Sequence, residues 1–138
     1  MRVFTSSIRL TTTKPKGEID ITGQVEALVA ESEIEEGMAL IATGHTTAAI
    51  HLSNADRDLE EDLHDFLDER IPDKPDYKHN KGEYGKNAAA HLKSVMIGNS
   101  VTIPVSRGRA SLGQWQAVYF SEFDGPRNRL VSVKIIGE

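Results

Sequence analysis

The chain has 138 residues, a length that fits one domain spanning 1–138 with a sizeable core. Hydrophobic residues make up 38%, charged residues 27%, and the net charge is −5, which excludes a disordered chain and argues against nucleic acid as partner, since phosphate neutralisation needs a basic face. The absence of cysteine excludes disulfide scaffolds, thiolate metal sites and cysteine nucleophiles. No apolar run approaches the roughly 20 residues that span a bilayer, and Met1–Thr5 lacks the apolar stretch of a secretory signal. A cytoplasmic protein without a membrane partner is therefore expected.

Arg2 to Thr11 alternates, with Phe4, Ile8 and Leu10 on one face, and reads as a strand. Ile21, Val25, Leu28 and Val29 follow helical spacing, with Asp20 or Thr22 as the cap and Gly37 as the end. Met38 to Thr43 is a short apolar run that reads as a buried strand, and Thr46 to Leu52 as an extended segment after a bend at Gly44. Leu59, Leu63, Phe66 and Leu67 mark a second helix, started near Asn54 or Asp56 and stopped by Pro72. Its Asp58, Glu60 and Glu61 suit the positive end of the helix dipole.

Residues 73–86 read as loop. Ala88, Leu92, Val95 and Met96 make one apolar face of a third helix, capped by Asn87 and closed by Gly98. Ser100 to Val105 and Gln114 to Phe123 are strand-like and flank the turn-prone Ser106–Arg109. Pro104 lacks an N–H donor, so its strand lies at an edge or carries a bulge. After a turn over 124–128, Leu130 to Ile136 closes the chain, with Val131, Val133 and Ile135 on one face. The order β, α, β, β, α, α and three further strands predicts a single compact α+β domain with about three helices on largely antiparallel sheets.

Five histidines carry most of the chemical potential. His64 sits within the acidic helix and reads as an ordinary, partly exposed residue, and His51 reads as structural. His45 follows a buried strand and precedes Thr46 and Thr47, where side chains can converge on a cleft. His79 lies in the lysine-rich loop, and His91 is one turn beyond Asn87 on the third helix. Brought together, His45, His79 and His91 would make an open three-imidazole metal site, although no two of them fall at a recognised ligand interval and spacing alone favours separate structural histidines. Arg107 and Arg109 at a hairpin tip can bind an oxyanion through guanidiniums and concave backbone N–H groups, or can simply be solvated. Trp115, flanked by Gln114 and Gln116, is either core or a wall for a flat heterocycle. Glu122 alternates with Val118 and Phe120 and needs a partner: an arginine, a metal-bound histidine or substrate.

Several blocks in register give the sequence a wider resemblance. Gly44-His45-Thr46-Thr47-Ala48-Ala49, Tyr77-Lys78-His79, Asn87 to Lys93, Gly98-Asn99-Ser100, Gly108-Arg109, Leu112 to Gln116 and Glu122 to Arg127 follow the order found in the YjbQ family, which the chain resembles over nearly its whole length. The resemblance implies a compact α+β fold, a homotrimer, a small-molecule substrate that is phosphorylated, and a divalent metal such as zinc at His45, His79 and His91. It also implies a secondary thiamine-phosphate synthase activity, joining a pyrimidine-methyl diphosphate to a thiazole phosphate with release of pyrophosphate. In that scheme Asn87, Lys93 and Glu122 are the expected catalytic residues. Thr46, Thr47, Arg107, Arg109, Trp115 and Gln116 are the expected substrate-binding ones. The chain departs from the family pattern at His51-Leu52-Ser53-Asn54, which lacks the usual Asn-Glu pair, at Arg107 in place of Asn, and at Gln114 in place of Thr. The alternatives are a metal-dependent enzyme on another small phosphorylated or heterocyclic substrate, and a non-catalytic trimeric ligand- or metal-binding module.

Overall fold

A computed structural model describes residues 1–138. Two antiparallel sheets and three helices form it. The larger sheet has the order β1-β8-β3-β5-β6, from β1 (Arg2–Thr11), β3 (Glu36–Ala42), β5 (Ser100–Ser106), β6 (Arg109–Ala110) and β8 (Asn128–Gly137). The smaller has the order β2-β7-β4, from β2 (Gly17–Asp20), β4 (Ala48–Asn54) and β7 (Gln116–Glu122). The helices are α1 (Thr22–Ser32), α2 (Arg57–Arg70) and α3 (Ala88–Ile97), and a short 3-10 turn covers Lys78–Lys81.

Alternating strands bury one row of β-branched side chains each, and these rows meet. Ile8, Ile41, Ile103, Val131, Val133 and Ile135 of the larger sheet join Ile50, Val118 and Phe120 of the smaller in one cluster. Val25 and Val29 of α1 enter the same cluster. Beyond the smaller sheet, α2 and α3 pack through a second cluster of Ala49, Leu67, Ala90 and Phe123. None of the helices is long and apolar enough to cross a membrane.

The expected elements are present, with four differences. Helix α1 ends at Ser32, where Glu33 takes a left-handed turn (φ 57°), rather than at Gly37. Gly37 instead lies inside β3, where a Cβ would stand 1.9 Å from the Ile136 carbonyl oxygen; the β3–β8 pairing needs its absence. Strand β2 is too short to leave a periodic signal. Finally, the buried side of α3 is not the Leu92, Val95 and Met96 side, whose exposures are 43%, 80% and 70%. Small residues, Ala88 to Ala90 and Ser94, let α3 sit close to β4, and the Ser94 hydroxyl donates to the Ala48 carbonyl at 2.6 Å. Pro104 lies on the side of β5 that runs beyond the two-residue β6, so the edge expectation holds.

Candidate functional site

Strand β8 outruns β3 at its beginning: the last pair is Ala42 with Ser132, which leaves both backbone groups of Leu130 without a strand partner. Side chains of the following segment replace the strand. Thr43 Oγ1 donates to the Leu130 carbonyl at 3.0 Å, and the Leu130 N–H donates to His45 Nε2 at 3.0 Å. Nε2 is therefore the acceptor and Nδ1 carries the proton of a neutral ring. Burial, and after it the Arg129 guanidinium, hold the His45 pKa below its ordinary value.

Beneath this loop lies a buried ion pair. Arg129 continues the inward-facing row of β8, and its Nε donates to Glu122 Oε2 at 2.8 Å while Nη2 bonds Oε1; both side chains are 2% exposed. Thr12 donates to the same carboxylate at 2.8 Å, and Thr47 Oγ1 accepts from Arg129 Nη2 at 3.0 Å. Burial pushes the Glu122 carboxyl up, but Arg129, the Asp124 N–H and Thr12 together outweigh it and hold the carboxyl below the usual range. Nη1 of Arg129 has no protein partner, and Arg129 lines a cleft of 530 Å³ with His45, Thr46, Thr47, Asn87, His91 and Arg127.

A second arm orders the other wall. The Asp124 carboxylate can only accept, so it fixes the Asn87 amide: Nδ2 donates to Asp124 Oδ2 at 2.9 Å, and Oδ1 faces His79 Nε2 at 2.9 Å. His79 thus donates from Nε2, and its ring stands edge-on to that of His91 with centroids 4.9 Å apart. Arg127 Nη2 also bonds Asp124 at 2.9 Å. Asn87 was expected to cap α3, but its side chain turns to this arm; Asn80 Oδ1 accepts the Ala88 N–H at 3.0 Å instead. The His91 ring makes no hydrogen bond of its own and borders the cleft.

The structure thus gathers His45, Thr46, Thr47, Asn87 and His91 around one cleft, with Glu122 behind it and His79 against His91. The three histidines do not fit a shared metal in this arrangement. His45 Nε2 is engaged by the Leu130 N–H and His79 Nε2 by Asn87, and no group of three or more His, Asp or Glu side chains is arranged to hold an ion.

The remaining expected residues lie elsewhere. Lys93 is 1% exposed and bonds Asp68 at 2.5 Å, tying α3 to α2. Arg107 and Arg109 sit six residues along β5 from the cleft end, about 20 Å away at the strand rise. The backbone N–H groups of that tip are not free for an oxyanion: Arg107 donates to Glu36 Oε1 and Gly108 to the Glu35 carbonyl, each at 3.0 Å. Trp115, 69% exposed, and Gln116 lie at the far end of β7, likewise roughly 20 Å from Glu122.

Arg127, Arg129 and Asp124 escaped the sequence reading. Arg129 left a signal, a charged residue two places before Val131 on the core-facing row of β8. His51 and His64 hold the structural and partly exposed places expected of them, around one buried carboxylate. Glu18, with no exposed side-chain surface, bonds His51 Nε2 at 2.6 Å and Ser121 Oγ at 3.0 Å. His64, only 13% exposed, faces its other oxygen at 3.6 Å, too long for a hydrogen bond.

Comparison with known proteins places these features in a wider set. A family model described as UPF0047 protein YjbQ-like matches residues 6–138. A UPF0047 protein of Archaeoglobus fulgidus is 43% identical over 129 residues, covering 94% of this chain and 98% of that protein. The UPF0047 protein YugU of Bacillus subtilis is 43% identical over 133 residues, covering 95% and 98%. Among solved structures, a YbjQ-like protein of unknown function from Sulfolobus solfataricus superposes with a TM-score of 0.95 at 36% identity, covering 99% of both chains.

Proposed function

The chain belongs to the UPF0047 YjbQ-like family, and from that premise we propose that the His45–His91 cleft binds a small phosphorylated molecule and catalyses a transfer reaction on it. The observation that carries this reading is Arg129. It is buried, held rigid by Glu122 and Thr47, and keeps Nη1 unengaged at a cleft that Arg127 also lines. A fixed guanidinium with an open N–H pair is a preorganised oxyanion donor. His91, without a hydrogen bond and beside that donor, is placed to give or take a proton.

The reaction we propose to assay first is of the thiamine-phosphate synthase type. The bond between the pyrimidine methylene carbon and the diphosphate oxygen breaks, and its electron pair leaves with pyrophosphate. The thiazole nitrogen lone pair forms the new carbon–nitrogen bond. Arg127 and Arg129 would balance the charge growing on the leaving group, and His91 would supply it a proton. Asn87 and Glu122 act through others here, Asn87 by fixing His79 and Glu122 by fixing Arg129. Formation of thiamine phosphate from both substrates, lost in His91→Ala, is the expected result. No product above a no-enzyme control, with both substrates shown to bind, removes the transferase reading and leaves a binding module.

A resident divalent ion such as zinc would require His45 to release the Leu130 N–H. Metal content per chain of untagged protein, measured beside His91→Ala, tests that alternative: about one equivalent lost in the variant supports it. Self-association is the second part of the proposal. The exposed Met96 on α3 shares an apolar groove with Phe66 of α2, with exposed Leu92 on the same helix, a face suited to a second copy of the chain, as in the homotrimer that the resemblance implies.

A further inference from the structure

The histidine pair does not sit at the end of its cleft but between two lobes of different chemistry. Gly44, His45, Thr46 and His91 border both. On one side are Arg127, Arg129, Asn87 and Asp124, with no hydrophobic residue. On the other is a smaller space of 370 Å³ bordered by Ser94, Val95, Gly98 and Asn99, with no residue of fixed charge. Ser94 donates its hydroxyl to the Ala48 carbonyl, so the polar groups left there are the Asn99 amide and the Thr46 hydroxyl, opposite the Val95 methyls. Gly44, which borders both lobes, stands beside open space: a Cβ there would meet no heavy atom within 4 Å.

We infer that the ligand is a phosphate ester with a compact uncharged group, its phosphate in the arginine lobe and its neutral part, of about the size of a sugar ring, in the Val95–Asn99 lobe. The inference rests on the phosphate reading above and adds the second subsite. A free charge would find no counter-ion in the smaller lobe, and a long apolar chain would leave Asn99 and Thr46 without partners. A small group with hydroxyl or carbonyl oxygens on one edge and an apolar face on the other satisfies both walls.

Calorimetric titration with orthophosphate and with ribose 5-phosphate separates the two lobes. Wild-type protein should bind the ester at least about tenfold tighter than orthophosphate. Asn99→Trp should lower ester affinity to that of orthophosphate while leaving orthophosphate binding unchanged, because the Asn99 side chain makes no protein hydrogen bond and its bulk would fill the smaller lobe. Gly44→Ala, whose added methyl meets open space, should weaken the ester selectively if the tryptophan variant misfolds. Arg127→Ala should weaken both ligands alike. An ester that binds no tighter than orthophosphate, or space-filling variants that weaken both ligands equally, would overturn the second subsite. Failure of wild-type protein to bind either ligand overturns the phosphate reading itself, and the subsite with it.

Discussion

At the scale of single residues, the Glu122–Arg129 pair decides both stability and the shape of the cleft. Each side chain is 2% exposed, so removing one leaves an uncompensated buried charge. Glu122→Ala should destabilise the fold by about 3–5 kcal/mol, lowering the thermal midpoint by roughly 10 °C or more for a chain of this size. A loss below about 1 kcal/mol would mean that Arg129 finds water or another partner. Acid should act the same way. The carboxyls of Glu122, Glu18 and Asp68 are all held below their ordinary values in the fold: burial alone would raise each, but bonds from Arg129, the Asp124 N–H and Thr12 at Glu122, from His51 and Ser121 with the nearby His64 ring at Glu18, and from Lys93 and Lys16 at Asp68 together outweigh it. The unfolded chain then binds more protons than the folded one at acidic pH, so stability is complete above about pH 4.5 and is lost as pH falls further. Urea midpoints that decline from pH 5 to pH 3 are the expected observation. His45, lowered by burial and by Arg129, should remain the Nδ1–H tautomer through its ordinary value of 6.5, which a histidine-ring NMR titration reads directly.

At the scale of elements, β1 and β8 were legible because their side chains alternate, and α2 because its apolar spacing, its Asp56 cap and its acidic first turn agree. Helix α3 was misread for a definite reason. Large apolar residues at helical spacing normally mark the core, yet here Ala88, Ala89, Ala90 and Ser94 are buried because small residues permit close approach to β4, with Lys93 fixed to Asp68 beside them. The large residues face outward. Met96→Asp should therefore change monomer stability by no more than about 0.5 kcal/mol while shifting sedimentation toward smaller species. Strong destabilisation without any change in assembly would instead show that Met96 supports its own chain. Lys93 belongs to the same correction: Lys93→Met should leave orthophosphate affinity unchanged, as expected for a helix anchor outside the cleft, and a large loss of affinity would return it to the site.

At the scale of the whole molecule, the two sheets bring distant segments to one place. The loop after β3, the start of α3 and the β7–β8 connection meet only because β8 pairs with β3 beyond the cleft and α3 packs on β4. His45 and His91 were legible as candidates because each sits at the boundary of a recognisable element. The placement of Arg107, Arg109 and Trp115 was not, since their distance from the cleft follows from strand register, which a single sequence does not specify. Arg129 was legible in principle: inward parity on β8 demands a buried counter-charge, and Glu122 on the core-facing row of β7 supplies it.

The most direct test of the account is calorimetric titration of pyrophosphate into wild-type protein and Arg127→Ala. The Arg127 side chain is 53% exposed, so the variant should fold normally. One saturable site per chain, weakened about tenfold by the substitution, is the predicted result. No saturable binding, or equal affinity in both proteins, would contradict the assignment of the His45–His91 cleft as a phosphate site.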